Sequence, residues 1–453
     1  MAARICIIDV PGLGRELLAH LPAGSATRKW LEGRRVAGLL APWPAVTSTV
    51  QATLTTGKSP SEHGIIANGI VPFRHQSDRG FIDESSFANY RRDVSFWEQS
   101  NQLLDVPRFW QGGVEKKWGK TALLFFQQSM PGFGGQPRAA ADVVLTPKPE
   151  HGPGGTLKSL CWSHPRELVG RLFSELGPFP LMNYWGPMAG IASSRWIGAA
   201  AARIWREEQP GLQWVYLPHL DYDLQRFGPN STQAAKAVGE LAPVLDGLVE
   251  EIHGSGGVVV MLSEYAMRPV SRGIRINAHL REAGLLQTRL EADGQLIDYG
   301  MSRAFAIADH QIAHVYVREA GDRETVAEVL RSAGAEVLNP RPIEHPRAGD
   351  LQIQSASDAW FDYRWWTDPK AAPVFATMVD IHRKPGYDPL ELFMDMATRT
   401  TSQDEGMIHG SHGRIDSPGA GGGGGLVACD GIELPAAVEA ADMAEIVGRL
   451  AQS

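Results

Sequence analysis

The strongest constraint on this chain is a pattern that occurs three times: a short, unbroken apolar run that closes on a carboxylate. RICIIDV carries Asp9 at its end, QWVYLPHLD carries Asp221, and GVVVMLSE carries Glu264. A run with no polar alternation needs cover on both sides, which is how an interior parallel strand reads. VAGLLA (36–41) and KTALLFF (120–126) read the same way, and helical spacings fall between the runs at 164–176, 193–207 and 231–253. Strands alternating with helices predict an α/β fold with a mostly parallel central sheet and helices on both faces. In such sheets functional groups gather beyond the carboxyl ends of the strands. Asp9, Asp221 and Glu264 are therefore expected to share one site.

Residues 285–350 change character. QTRLEADGQLIDYG suggests a hairpin, AFAIA and AHVYV two short strands, and 323–333 a helix. The reading is a small inserted α+β subdomain at 285–350, with a main α/β domain at 1–284 and a return to it at 351–453. LQIQSA leads back to the main sheet, GLVAC (425–429) adds a last strand, and 435–451 forms an amphipathic closing helix. The Gly- and Pro-rich stretch 131–156 reads as loop, SFWEQSNQLLDVPRFW as partly helical, and the GAGGGGG tract (419–425) as too flexible for a rigid site.

The chemistry concentrates in PAVTSTVQATLTTGKSPSEHGIIANG, residues 44–69. A hydroxyl cluster (Thr47, Ser48, Thr49) stands at the entry of a helical stretch that Gly57 stops. There unpaired amides and the helix dipole favour an anion and lower the pKa of an alcohol. Thr47 or Thr49 serves there either as a nucleophile or simply as an N-cap. The spacing of Pro44, Thr47, Thr56, Gly57, Pro60, His63, Gly64, Ile65 and Asn68 resembles the nucleophile segment of the nucleotide pyrophosphatase/phosphodiesterase family, within the alkaline phosphatase superfamily. The resemblance implies an alkaline-phosphatase-like fold, Thr47 as nucleophile through a phospho-threonine intermediate, and Asn68 as the residue that holds a phosphoryl oxygen.

It also implies two divalent metal ions, zinc by analogy, held by Asp9, Thr47, Asp221, Glu264 and a late histidine, His412 in GSHG. Two positions depart from that pattern: Gln225 and Tyr265 stand where the family has histidines. Amide carbonyl and phenol are poor zinc ligands, so the oxygen-rich set, Gln225 included, leaves Mn²⁺ or Mg²⁺ open. His382, in VDIHRKPGYDP, competes with His412 for the late position. Asp309–His310 falls in the inserted segment and reads as structural, and His63 as a turn residue. Tyr184 and Trp185, near Arg195 and Trp196, are candidate substrate contacts.

A net charge of −8 excludes a generic nucleic-acid binder. Three widely spaced cysteines exclude a disulfide framework, and no apolar run is long enough to span a membrane. MAARICIIDV is no signal peptide, so a cytoplasmic protein is expected. The expected partner is a small phosphate-ester or phosphonate substrate; oligomeric state is left open. The expected activity is that of a metal-dependent phosphodiesterase or nucleotide pyrophosphatase. The alternatives are a phosphonate C–P hydrolase on the same scaffold and a non-catalytic binder of a phosphorylated metabolite.

Overall fold

A computed structural model describes residues 3–70, 95–97, 99–111, 118–131, 139–148, 150–151, 157–158, 161–381, 384–416 and 422–452. In chain order, the elements that matter to the site begin with β1 (Ile5–Asp9), β2 (Ala37–Leu40), α1 (Thr47–Thr56), β3 (Thr121–Leu124), β4 (Val143–Pro147) and β5 (Cys161–His164). Next come α2 (Ile191–Glu207), β6 (Leu212–Tyr216), α3 (His219–Phe227), α4 (Thr232–Gly254) and β7 (Val258–Ser263). The chain then forms β8 (Ala304–Asp309), β9 (Ile312–Val317), β10 (Glu336–Val337), β11 (Leu351–Gln354), β12 (Gly425–Cys429), β13 (Ala437–Glu439) and α5 (Met443–Leu450).

Nine strands make the central sheet, in the order β13-β2-β12-β7-β1-β6-β3-β4-β5. β1 lies parallel between β6 and β7, and the parallel run continues through β3 and β4. β12 and β5 are antiparallel to their neighbours. The sheet is thus mixed but mostly parallel, with helices on both faces, as the apolar runs predict. β1 is buried along its whole length, which is why its sequence shows no alternation.

Several local expectations are corrected. Val143–Pro147, inside the stretch read as loop, is a central-sheet strand. The strand in QWVYLPHLD ends at Tyr216, and Asp221 lies in the first turn of α3, because Pro218 cannot continue a ladder and caps the helix instead. The closing segment splits into the edge strand β13 and the shorter helix α5. Among the described residues of 95–110 the helical content is one 3-10 turn at Asn101–Leu103.

A second, four-stranded antiparallel sheet, β8-β9-β11-β10, carries its own core. Leu351–Gln354 therefore pairs with this sheet and does not return to the main one. Ile276, Leu280, Trp365, Trp366 and Phe375 complete the core. The tip of the β8–β9 hairpin reaches toward the candidate site, where the Gln311 N–H donates to the His412 carbonyl at 2.9 Å.

Helix α1 is polar yet wholly buried. Its threonines make this tolerable by folding their hydroxyls onto the preceding turn: Thr53 onto Thr49 O at 3.0 Å, Thr55 onto Gln51 O and Thr56 onto Ala52 O, both at 2.6 Å. Gly57 ends the helix at φ +66°, with the site of a Cβ only 3.1 Å from Ala444 of α5. A side chain there would be both strained and crowded.

Candidate active site

Two carboxylates form the floor of the site. Asp9 is the last residue of β1, and Glu264 is the first beyond β7; the parallel register, which pairs Asp9 with Leu262, sets them side by side. Both are fully buried, and among the described residues none of their four carboxylate oxygens has a hydrogen-bond partner. Burial pushes Asp9 up to about 7. Burial and then the neighbouring charge of Asp9 push Glu264 well above the carboxylate range, opposed by the nearby Gln51 and Thr47. Buried anionic oxygens without donors are costly unless something positive joins them. Two carboxylates beside a hydroxyl form a hard, all-oxygen donor set, which fits a divalent cation.

Thr47 opens α1 over this floor. The N-cap is Val46, which makes no side-chain bond, so Thr47 does not serve as the cap. Its hydroxyl instead meets the Tyr265 hydroxyl at 3.1 Å. Asn68 braces the helix entry: its Oδ1 accepts the Ser48 N–H at 2.9 Å. Asn68 is itself held by Asp309 at the end of β8, through its backbone N–H at 2.8 Å and its Nδ2 at 3.2 Å.

Asp221 and Gln225 lie one turn apart on α3, so they share a face. Gln225 Nε2 donates to Asp221 Oδ2 at 2.6 Å, Tyr265 donates to Asp221 Oδ1 at 3.2 Å, and Tyr387 donates to Gln225 Oε1 at 2.7 Å. Burial raises the Asp221 carboxyl, partly offset by His310 and by these hydrogen bonds. His412 is buried, with Nδ1 donating to the Ala45 carbonyl at 2.9 Å and Nε2 3.8 Å from Asp221 Oδ1. Its ring lies flat on Tyr265, centroids 3.6 Å apart, while His310 approaches it at 3.9 Å. His382 lies outside the described residues.

The sequence model of the "Type I phosphodiesterase / nucleotide pyrophosphatase" family matches residues 5–388, most of the chain. The chain belongs to this family. No curated protein matches it significantly. Among solved structures, phosphonoacetate hydrolase from Sinorhizobium meliloti 1021, in complex with phosphonoacetate, superposes with a TM-score of 0.60 at 15% identity, over 99% of this chain and 96% of its own. Murine ectonucleotide pyrophosphatase / phosphodiesterase 5, in an inactive form with AMP, gives 0.58 at 11% identity, over 99% and 95%. The human counterpart gives 0.54 at 12%, also over 99% and 95%. At these identities the superpositions carry the fold.

Around the core of this phosphodiesterase-family site lies an aromatic wall. Trp185 is half-buried between Tyr222 and Tyr387 and donates to Glu391 at 3.2 Å. It borders a small recess with Phe96, Trp97, Tyr387 and Lys384. Tyr184 points elsewhere, into a cluster with Phe125 and Phe179. Lys384 is buried and already matched, at 2.7 Å to both Asp388 and Glu391.

Three participants escape a sequence reading. Asp309 and His310 sit in the site, not apart from it: His310 Nδ1 is 2.7 Å from Asp309, and its ring stacks on Tyr387 at 3.7 Å. The signal was present, since Asp309 directly follows the strand-like AFAIA, just as Asp9 follows its own apolar run. Tyr387 stands in the Gly-Tyr-Asp that follows His382, a sequence resembling the family's late motif, but nothing there marks its hydroxyl as a partner of Gln225. The glycine tract also touches the site: the Ala266 N–H donates to Gly423 O at 2.6 Å, and a Cβ on Gly424 would lie 2.9 Å from Ala266. The described end of the tract is held in place because it has no side chains.

Proposed function

We propose that this chain is a metal-dependent hydrolase of phosphodiester or diphosphate bonds, with Thr47 as its nucleophile. The observation that carries the reading is the Thr47 hydroxyl, uncommitted as a cap, set over the partnerless carboxylates of Asp9 and Glu264. Those three residues would hold a divalent cation, and it would supply the Lewis acidity that lowers the alcohol pKa and offsets phosphoryl charge. Thr47 Oγ1 gives its proton to solvent and forms the O–P bond as the bond to the leaving oxygen breaks and that oxygen takes up a proton; water then cleaves the phospho-threonine, releasing the phosphoryl product and restoring the hydroxyl. Asn68 fixes the helix entry, and a second proton on its Nδ2 is available to a phosphoryl oxygen. Trp185, half-buried beside Tyr387, is the candidate contact for a flat leaving group, although the recess it borders has room for only about one water. The buried free thiols Cys6, Cys161 and Cys429 support a reducing, cytoplasmic setting, and among the described residues no helix is long and apolar enough to cross a membrane.

The phosphonate alternative would want a cation for a substrate carboxylate. Lys384, the basic residue bordering the recess, is matched by two acids, which favours the ester and diphosphate reading. The test is hydrolysis of bis-p-nitrophenyl phosphate, p-nitrophenyl phosphate and a nucleoside diphosphate under Mn²⁺, Mg²⁺ and Zn²⁺. Wild type should turn over a diester or a diphosphate, and Thr47→Ala should lose roughly a thousandfold or more in rate while Thr47→Ser retains part of it. Wild type inert with all three ions, or Thr47→Ala fully active, would overturn the reading; binding without turnover would leave the phosphometabolite-binding alternative.

A further inference from the structure

The family resemblance implies two cations, and the two halves of this site treat a cation differently. Around Asp9 and Glu264, none of the four buried oxygens makes a hydrogen bond among the described residues, and only Gln51 and Thr47 lie near enough to favour the charged form of Glu264. Around Asp221 both oxygens already accept protons, Oδ1 from Tyr265 and Oδ2 from Gln225. The Gln225 carbonyl, the one atom of that side chain able to ligate, is taken by the Tyr387 hydroxyl. A coordinating group must offer lone pairs, whereas the two side chains that stand in place of imidazoles offer hydrogens. His412 Nε2 remains among the described residues, a single nitrogen 3.8 Å from Asp221 Oδ1, whose lone pairs are already engaged by Tyr265. Among the described residues no group of three or more His, Cys, Asp or Glu is arranged to hold a metal ion.

We propose that this chain holds a single divalent cation, at Asp9, Glu264 and Thr47, and that the place of a second is filled by the hydrogen-bonded chain Tyr265–Asp221–Gln225–Tyr387. The inference rests on the proposed function only in taking Asp9 and Glu264 as ligands. Asp221 is accommodated without a metal, because both of its oxygens already accept a hydrogen bond from the network. The loss of two imidazoles then reads as the replacement of one cation by protein, with the other kept.

The experiment counts metal on the full chain. Chelator-stripped protein is equilibrated with Mn²⁺ or Zn²⁺, freed of excess, and assayed by elemental mass spectrometry, with the thermal shift on metal addition as a parallel readout. The expected results are one cation per chain in wild type, none in Asp9→Asn, and one still in Asp221→Asn, whose metal-induced thermal shift should match wild type. Restoring both imidazoles, Gln225→His with Tyr265→His, should raise the count to two. If that double variant misfolds by near-ultraviolet circular dichroism, the Asp9→Asn and Asp221→Asn pair decides alone. Two cations in wild type, falling to one in Asp221→Asn or in His310→Ala, would overturn the inference and show His310 recruited as a ligand; no bound cation would overturn it as well. Turnover is read separately. One cation without hydrolysis removes the functional reading and keeps this one, and hydrolysis with two cations does the reverse.

Discussion

Replacing Asp9 with asparagine should make the metal-free protein progressively more stable than wild type as pH rises. Asp9 moves from an ordinary 3.8 to about 7 in the folded chain, with burial as the main cause. A group whose folded pKa is raised contributes stability that is complete below its unfolded pKa and lost as pH rises through its folded pKa. The window is therefore about pH 4 to 7. Between pH 5 and pH 8 the wild type should lose about 2 pK units of linkage, roughly 3 kcal/mol at 1.36 kcal/mol per unit. For a chain of 453 residues the unfolding entropy converts each kcal/mol to about 1 °C, so the expected change is about 3 °C. The asparagine variant lacks this contribution and keeps only that of Glu264, which burial also raises. Its amide carries its own desolvation cost of about 1–3 kcal/mol, which is independent of pH, so the comparison is between slopes and not between single melting points. The assay is differential scanning fluorimetry in chelator from pH 5 to 8, repeated with Mn²⁺, which should flatten the wild-type slope and leave the variant unchanged. Parallel melting curves for the two proteins in chelator would refute the argument that the buried carboxylates lack a positive partner.

Other outcomes follow from the same physics. His63 accepts the Ile65 N–H on Nδ1 at 3.1 Å and faces Thr53 with Nε2 at 3.0 Å, and burial pushes it down to about 3. A depressed histidine contributes stability that is present above its ordinary 6.5 and lost as pH falls toward 3; its ring resonances should not titrate by NMR above pH 4. Lys384→Met should destabilise the chain by about 3–5 kcal/mol in urea, because it strands the carboxylates of Asp388 and Glu391 in the interior. A second change, Glu391→Gln, should recover part of that loss.

How much of this could be read from sequence varied with how local the cause was. β1 and β7 were legible because interior parallel strands leave an unmistakable run of apolar residues, and the acids at their ends followed. Asp221 was placed beside the right neighbours but on the wrong element: Leu217 and Leu220 extend the apolar run past Pro218, and the helix begins where the run seems unbroken. β4 went unseen because four apolar or small residues among glycines and prolines carry no period. The pairing of Leu351–Gln354 was beyond reach, since strand partners are chosen by tertiary packing. Within the site, Thr47 and Asn68 stood out through a dense motif. The Tyr265–Asp221–Gln225–Tyr387 chain could not, because its members come from three separated stretches, with Asp221 and Gln225 together on α3, and only the fold brings their polar atoms together.

The position of β12 bears on how such a molecule is made. β2, whose chain runs directly on to Thr47, joins the central sheet through β12, a strand from the last thirty or so residues laid between β2 and β7. On a ribosome that emits the chain N-terminus first, β7 would wait with one open edge until residues 425–429 emerge. Until then β2, which leads into the threonine segment, has no partner in the central sheet. A product truncated before Gly425 would expose that edge to other chains, and its expected fate is aggregation rather than partial activity.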